Sequence, residues 1–330
     1  MAQPTNPGDL APLEVDTQTT QNDSSYGDEL SAYTASLTSS ILNYRHENGR
    51  RYHAYRDGTT DYLLPNDEKE ADRLDMVHEM TLAIMDRKLY LAPLKSPQRV
   101  IDLGTGTGIW AIDFADQMPS AEVIGCDLSP TQPNMVPPNV KFLVDDIEAD
   151  WEYGNNPFDF IHARYLSVSI KNFPRLVRQC YRYAKPGGWV EFQDWDSRIT
   201  SEDNSTKGTS IKRYYNEVLG AFERNGYETS PGPHLEQWFR DAGFVDVQVR
   251  KYRVPMGTWP NDKYYKKVGT WCMLQAEQGF EAGGLAVLTR FENWSKEDVV
   301  DLAKKAVADA HNRNIHPLFN FYVVYGRKPE

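Results

Sequence analysis

The chain has 330 residues, 40% of them hydrophobic and 25% charged, which suits a globular protein long enough to bury one large or two small domain cores. Its formal net charge of −11 argues against direct nucleic-acid binding, which needs a basic patch or stripe, and leaves neutral or cationic small molecules and basic peptides as partners. Three scattered cysteines, Cys126, Cys180 and Cys272, make neither a disulfide framework nor a metal-ligand spacing and point to a reducing, cytoplasmic setting.

No apolar run approaches the ~18 residues of a membrane span, and the N-terminus lacks the charged-then-apolar layout of a signal peptide. Residues 1–25 are rich in Pro, Thr, Gln, Asn and Asp without apolar periodicity and read as a disordered tail. A helical and flap segment is expected over 26–94. Within it, Tyr44 to Arg56 is aromatic, basic and histidine-bearing. It reads either as an amphipathic surface segment or as a flap over a ligand mouth, bringing an arginine to a ligand carboxylate and Tyr52 to a substrate pocket. His46 and His53 lack ligand-like partners in spacing, so no metal site is expected. Leu74, Val77, Thr81, Ile84, Met85 and Leu89 recur at helical spacing over Glu68 to Leu91, with Pro93 beyond the end.

The apolar run Arg99 to Leu103 ends in Gly104-Thr105-Gly106-Thr107-Gly108, and a helical pattern begins at Ile109. Strand, tight turn and helix form the opening unit of a doubly wound α/β domain, whose ligands sit at the carboxyl ends of the strands. The glycines admit close backbone approach, and the helix start offers free N–H groups to an anion. The dinucleotide pattern wants a third glycine where Ile109 stands, and Asp102 sits two positions before Gly104. A carboxylate there repels a pyrophosphate but suits an ammonium. S-adenosylmethionine carries an ammonium and a carboxylate and no phosphate, so the turn reads as a methyl-donor site that would release S-adenosylhomocysteine.

Downstream acids fit the same ligand. Asp127, followed by Leu128, closes a strand about 20 residues after the turn, where a carboxylate accepts both ribose hydroxyls; a turn-capping aspartate before Ser129-Pro130 is the alternative. The strand Val140 to Val144 ends in Asp145-Asp146-Ile147-Glu148. Asp146 is the favoured partner of the adenine amine, with Ile147 adding a backbone and apolar contact, although the assignment can shift to Asp145. The strand Phe158 to His162 delivers His162 and Arg164 to the same crevice. Both are candidates for the methionine end of the donor or for the acceptor, and His162 is the catalytic candidate unless it is a hydrogen-bonded structural histidine. After a turn at Lys185-Pro186-Gly187-Gly188, the strand Trp189 to Asp194 leads into Asp194-Trp195-Asp196, an acidic rim that reads as a pocket wall at Asp194 or as a solvated loop.

Ile211 to Phe222 and Leu235 to Ala242 follow helical patterns, the second closing at Gly243. Phe244 to Val249 and Phe319 to Tyr325 read as strands. The residues between them are too many for a hairpin and rich in aromatics. Ser295 and Asp298 form a capping box within them. We read 95–255 as a donor-binding core, 256–316 as a helical cap insertion and 317–330 as the final core strand and tail. Trp259 and Trp271 of the cap, facing Tyr52, are expected to wall the acceptor chamber, unless they are the cap's own core.

The acid-bearing strand ends and Gly-x-Gly-x-Gly resemble class I S-adenosylmethionine-dependent methyltransferases over roughly 95–255. A more specific match covers most of the chain: Ile41-Leu42-Asn43-Tyr44, Glu47-Asn48-Gly49-Arg50-Arg51-Tyr52-His53, Leu63-Leu64-Pro65-Asn66-Asp67-Glu68, the glycine turn through Trp110, Asp127-Leu128-Ser129-Pro130 and Val324-Tyr325-Gly326-Arg327-Lys328-Pro329. These resemble the fungal LaeA-like methyltransferase family. The resemblance implies a Rossmann-like sheet of seven mostly parallel strands, the last antiparallel, with helices on both faces. It also implies a role in fungal secondary metabolism, as a tailoring enzyme on a small molecule or as a nuclear regulator with protein partners. The lack of a basic nuclear-import run leans toward the tailoring enzyme. A protein methyltransferase and a non-catalytic donor-binding scaffold are the competing readings.

Overall fold

The computed structural model describes residues 44–53, 62–154 and 156–330. The tail expected over 1–25, the order expected from Tyr26, the motif residues 41–43 and the end of the Tyr44–Arg56 segment lie outside the described residues.

A short hairpin of β1 (Arg45–Glu47) and β2 (Arg50–Tyr52) precedes α1 (Glu68–Ile84). The main sheet contains β3 (Arg99–Leu103), β4 (Glu122–Asp127), β5 (Val140–Val144), β6 (Phe158–Arg164), β7 (Ala184–Thr200), β8 (Val245–Pro255) and β9 (Leu318–Arg327). Helix α2 (Ile109–Gln117) follows β3, α3 (Phe173–Tyr183) follows β6, and α4 (Ser210–Arg224) and α5 (Leu235–Ala242) join β7 to β8. Between β8 and β9 lie α6 (Lys263–Phe291) and α7 (Lys296–His311). The strand order is β5-β4-β3-β6-β7-β9-β8, with β9 antiparallel to both neighbours and the other pairs parallel. The order reverses between β3 and β6, so their carboxyl ends flank the crevice where such sheets bind ligands.

Strand side chains alternate between two cores. Val100, Val123 and Phe160 face Trp110 and Phe114 of α2, while Ile101, Ile124 and Ile161 face Leu176 and Val177 of α3 and Phe239 of α5. A third core lies among α1, α4, α6 and α7, which pack on one another and on the far end of β7 and β9. Helix α6 buries Val268, Cys272, Ala276, Phe280, Leu285 and Leu288 because neighbours enclose it on several sides. The capping box forms as the spacing predicts, Ser295 Oγ accepting from Asp298 N at 3.1 Å, and Gly243 ends α5 in the left-handed region at φ 101°.

Two elements differ from the expected bounds. Helix α1 stops at Ile84, before Leu91, because Asp86 and Arg87 turn left-handed at φ 53° and 62°. The chain beyond is held by the buried Glu191 carboxylate, which accepts from Leu91 N at 2.8 Å and Ala92 N at 2.7 Å, so Leu89 is buried without being helical. Strand β7 runs to Thr200, well past the register of β6, because β9 pairs with it over that length. Asp194, Trp195 and Asp196 are therefore strand residues, which corrects the reading of a solvated acidic loop.

The hairpin also takes the quieter of its two expected places. Arg50 is paired with Asp67 at 2.6 and 2.8 Å, Arg51 with Glu68 at 2.9 Å, and Arg290 reaches Glu47 at 2.9 Å. Lys296 Nζ donates to Asn48 O at 2.9 Å, so the hairpin is docked on α6 and α7 with its arginines committed.

Two helical glycines separate backbone packing from propensity. A Cβ on Gly269 of α6 would sit 2.3 Å from Gly257 O, whereas one on Gly220 of α4 meets only the flexible end of Arg224. Gly269→Ala is expected to lower unfolding stability by about 1–3 kcal/mol, and Gly220→Ala to be neutral or raise it by up to about 1 kcal/mol. Urea unfolding of both variants checks this; equal effects would contradict the packing.

Candidate functional site

The glycine turn is fixed from below by side chains. Asp102, at the end of β3, accepts from Thr105 Oγ1 at 2.6 Å through one oxygen and meets His162 Nδ1 at 2.7 Å through the other. The His162 ring lies flat on Trp110 of α2, centroids 3.7 Å apart and planes 3° apart. Gly106, at φ 58°, donates its N–H to Asp127 Oδ2 at 2.8 Å. A Cβ on Gly108 would lie 2.4 Å from the Phe142 ring, so that glycine answers to packing.

Over this turn opens a cavity of about 410 Å³. Asp102, Gly104 and Gly106 line it from β3, and Asp127 and Leu128 from β4. Asp145, Asp146 and Ile147 line it from the end of β5, and Arg164 from β6. Gly108 and His162 are not among its walls. Burial raises the Asp127 carboxyl to about 6, opposed by the N–H groups of Gly106 and Ser129. Asp145 Oδ1 accepts from Asp146 N at 2.8 Å, and Asp146 Oδ1 from Glu148 N at 2.9 Å.

Arg164 is set by a residue the sequence did not single out. Its Nη2 donates to His78 Nδ1 at 3.0 Å, and His78 Nε2 lies 3.0 Å from Asp113 Oδ2. A guanidinium has only donors, so His78 must be neutral with its proton on Nε2, directed at Asp113. Burial, with Arg164 and Arg87 adding to it, pushes His78 down to about 3. Burial lowers Arg164 only to about 10, which leaves it charged at neutral pH. Its Nη1 is buried without a partner among the described residues.

A second cavity of about 140 Å³ lies between the end of β7 and helices α1, α4 and α6. Tyr214, Tyr215 and Phe222 of α4, Phe280 of α6 and Trp195 of β7 contribute its aromatic wall, and Glu70, Arg73 and Gln275 its polar one. Tyr165 lines both cavities. It begins a loop in which Tyr165 and Val168 both have φ 61°, a conformation costly for such residues. The loop is held by Asp194, whose carboxylate accepts from Leu166 N at 2.8 Å, Ser167 N at 3.1 Å and Trp195 N at 2.8 Å. Burial raises Asp194 to about 7 despite these three donors.

Several expected side chains stand elsewhere. His162 is fully buried behind the cavity, committed to Asp102 and stacked on Trp110, which corrects its candidacy as the catalytic residue: it positions Asp102. Asp194 lines neither cavity and holds the loop between them. Tyr52 is buried beneath Arg290, 4.9 Å from ring to guanidinium. Trp259 donates to Met256 O at 3.1 Å and packs on His316, and Trp271 packs against the helical core; neither lines a described cavity. An aromatic chamber exists, but α4 supplies three of its rings and the expected tryptophans supply none. The helical pattern over Ile211 to Phe222 did not show which neighbours its rings face, and no local pattern pointed to Arg73, His78 or Tyr165.

A parallel sheet with its switch point at a glycine turn, acids at successive strand ends and a closed antiparallel edge defines a class I methyltransferase, an enzyme class whose donor is S-adenosylmethionine. Residues 76–249 match a family described as a methyltransferase domain, and the chain belongs to that family. It is 40% identical over 297 residues to methyltransferase pytC of Aspergillus terreus, covering 89% of this chain and 91% of that one. It is 36% identical over 292 residues to the secondary metabolism regulator LAE1 of Cochliobolus heterostrophus, covering 86% and 94%. Among solved structures, phosphoethanolamine N-methyltransferase 2 of Haemonchus contortus with S-adenosyl-L-methionine aligns with a TM-score of 0.45 at 21% identity, over 76% of this chain and 53% of that one.

The His78 arrangement carries a pH dependence. Its folded value of about 3 lies below the ordinary 6.5, so between those values the unfolded chain takes up a proton that the native protein refuses. Stability then falls as pH falls below about 6.5. Compared with His78→Gln, the wild type should lose about 2 kcal/mol more unfolding free energy between pH 7 and pH 4.5. Parallel acid titrations of the two proteins by urea unfolding would contradict the neutral-histidine assignment.

Proposed function

We propose that the larger cavity binds S-adenosylmethionine and that the enzyme transfers its methyl group to a small molecule of fungal secondary metabolism seated in the smaller one. One observation carries this reading: a cavity lined by the strand-end acids and an aromatic-lined cavity share Tyr165 as a wall.

The roles follow from the chemistry of each group. Asp127 has one lone pair per oxygen left after its backbone bonds and takes the ribose hydroxyls. Asp146 takes the adenine amine with the Ile147 N–H beside it, while Asp145 serves the turn. Leu128 gives apolar surface to the nucleoside. At the other end, Arg164 Nη1, without a partner among the described residues, meets the methionine carboxylate, and Asp102 faces the ammonium. Gly104 and Gly106 let the backbone approach the donor.

Transfer is an in-line displacement. A lone pair of the acceptor atom bonds to the methyl carbon, the carbon–sulfur bond breaks with its electrons on sulfur, and a hydroxyl or amine acceptor releases one proton to water. As the sulfonium loses its charge, the protein's contribution is alignment and exclusion of water. Effective molarities of about 10⁵–10⁸ M are reached in well-oriented systems.

Similarity to methyltransferase pytC supports a tailoring enzyme, which fits the cytoplasmic setting expected from composition. Similarity to LAE1, a secondary metabolism regulator, supports a second reading: a nuclear regulator acting on or through protein partners. The small aromatic-lined cavity favours the first. Mass analysis after incubation with radiolabelled donor and either small-molecule extract or protein separates the two. A non-catalytic scaffold predicts donor binding and no labelled product.

Two substitutions test the donor assignment through different parts of the ligand. Each removes hydrogen bonds to a charged group, worth about 10- to 150-fold in affinity. Asp127→Ala should weaken both S-adenosylhomocysteine and 5′-methylthioadenosine, which share the ribose. Arg164→Gln should weaken S-adenosylhomocysteine alone, because 5′-methylthioadenosine lacks the carboxylate. Calorimetry showing both ligands equally affected by Arg164→Gln would remove Arg164 from the carboxylate.

A further inference from the structure

The second cavity is specific enough in its walls to constrain what it takes. Its charged members are Glu70 and Arg73 of α1, both buried, and they neutralise each other. Arg73 Nε and Nη2 donate to the two Glu70 oxygens at 3.0 and 2.5 Å, and Nη1 donates to Gln275 Oε1 at 3.1 Å. The remaining polar groups are uncharged. Burial pushes the phenols of Tyr165, Tyr214 and Tyr215 up, and the Cys272 thiol to about 12. A charged ligand group would enter with no free counter-charge, and burying an unpaired charge is strongly unfavourable.

The walls are flat and edge-on. Tyr214 and Phe280 lie 4.7 Å apart at 73°, Tyr215 and Phe319 5.0 Å apart at 50°, and Tyr165 meets Trp195 at 6.2 Å and 90°. Such a set offers ring faces and edges to another ring. The volume of about 140 Å³ suits one: an apolar protein cavity of about 150 Å³ takes up benzene.

Among the described residues, one buried side-chain polar atom of a wall residue has no partner. Trp195 is 7% exposed, and its Nε1–H has no partner among the described residues. A buried indole N–H usually finds an acceptor. The Trp195 ring lies 6.2 Å from that of Tyr165, the residue common to both cavities.

Resting on the proposed methyltransferase reading, we infer that the second cavity is the acceptor chamber for a neutral single aromatic ring, or a molecule ending in one, bearing an oxygen that accepts from Trp195 Nε1. Ring faces provide affinity, the missing counter-charge rejects ionised analogues, and the indole N–H sets the position of the oxygen.

Phenol, toluene, benzoate and benzylammonium are the probes, titrated by ligand-observed NMR into the full-length protein saturated with S-adenosylhomocysteine. Phenol should bind about tenfold tighter than toluene, and that advantage should vanish in Trp195→Phe, which keeps a ring and removes the N–H. The two ions should show no saturable binding. Equal binding of phenol and toluene, an advantage retained in Trp195→Phe, or saturable binding of either ion overturns the inference. Ala276→Leu, a second variant on the α6 wall, should abolish ring binding and leave S-adenosylhomocysteine affinity unchanged; undiminished phenol binding there also overturns it. S-adenosylhomocysteine binding normally while no ring binds sinks the chamber alone. Failure to bind S-adenosylhomocysteine sinks the donor reading and this inference with it.

Discussion

The 2.7 Å contact between Asp102 and His162 joins neighbours in register across β3 and β6, at the switch point of the sheet. A buried carboxylate is tolerated only when its oxygens are bonded, and here one is held by His162 and the other by Thr105 of the glycine turn. Trp110, the second residue of α2, stacks on the same imidazole. Strand, turn, helix and neighbouring strand are thereby tied at one point. The shape of the larger cavity depends on that tie, because the turn it anchors is the floor of the cavity.

The two cavities are built by different means. The larger is made mostly of strand ends, backbone amides and short acids, a framework set by sheet topology. The smaller is made of side chains on α1, α4 and α6, standing on the part of β7 and β9 that runs beyond β6. Substitutions on the facing sides of α4 and α6 therefore alter the second cavity without disturbing the turn. Between the two cavities lies the loop from Tyr165 to Val168. Its middle residues, Leu166 and Ser167, are held by Asp194, a strand residue that touches neither cavity, while the strained Tyr165 and Val168 donate to Gln193 O and Glu228 O.

Burial dominates the electrostatics of this edge, and backbone donors oppose it. Asp127, Glu191 and Asp194 are all raised, to about 6, 7 and 7, although each accepts backbone N–H groups. His78 is pushed the opposite way and kept neutral, which turns its Nδ1 into an acceptor for Arg164. The larger cavity thus has a guanidinium and a carboxylate in its walls at Arg164 and Asp102, the pair to which the proposed function gives the amino-acid end of the donor.

Most of the fold was legible in the chain because local signals carry it. An apolar run into Gly104-Thr105-Gly106, strands closing on Asp127 and Asp145, a capping box at Ser295 and a glycine stop at Gly243 each act within a few residues, where sequence spacing is spatial proximity. The same signals located the residues that line the larger cavity at the strand ends, since parallel strands place their carboxyl ends on one edge. Long-range pairing was not legible. The length of β7 depends on β9, more than a hundred residues later, and that pairing extended the strand expected to end at Asp194 through Trp195 and Asp196. Nor could spacing tell that His162 is buried behind Asp102 and Trp110 of the cavity wall, that Arg164 leans on His78, or that Tyr52, Trp259 and Trp271 pack outside the aromatic chamber. Which face of a helix meets which neighbour is a property of the assembled layers. Sequence alone thus determined the strand-end framework of the larger cavity, and only tertiary packing decided the aromatic cavity, because the first is made of backbone turns and the second of side chains from distant helices.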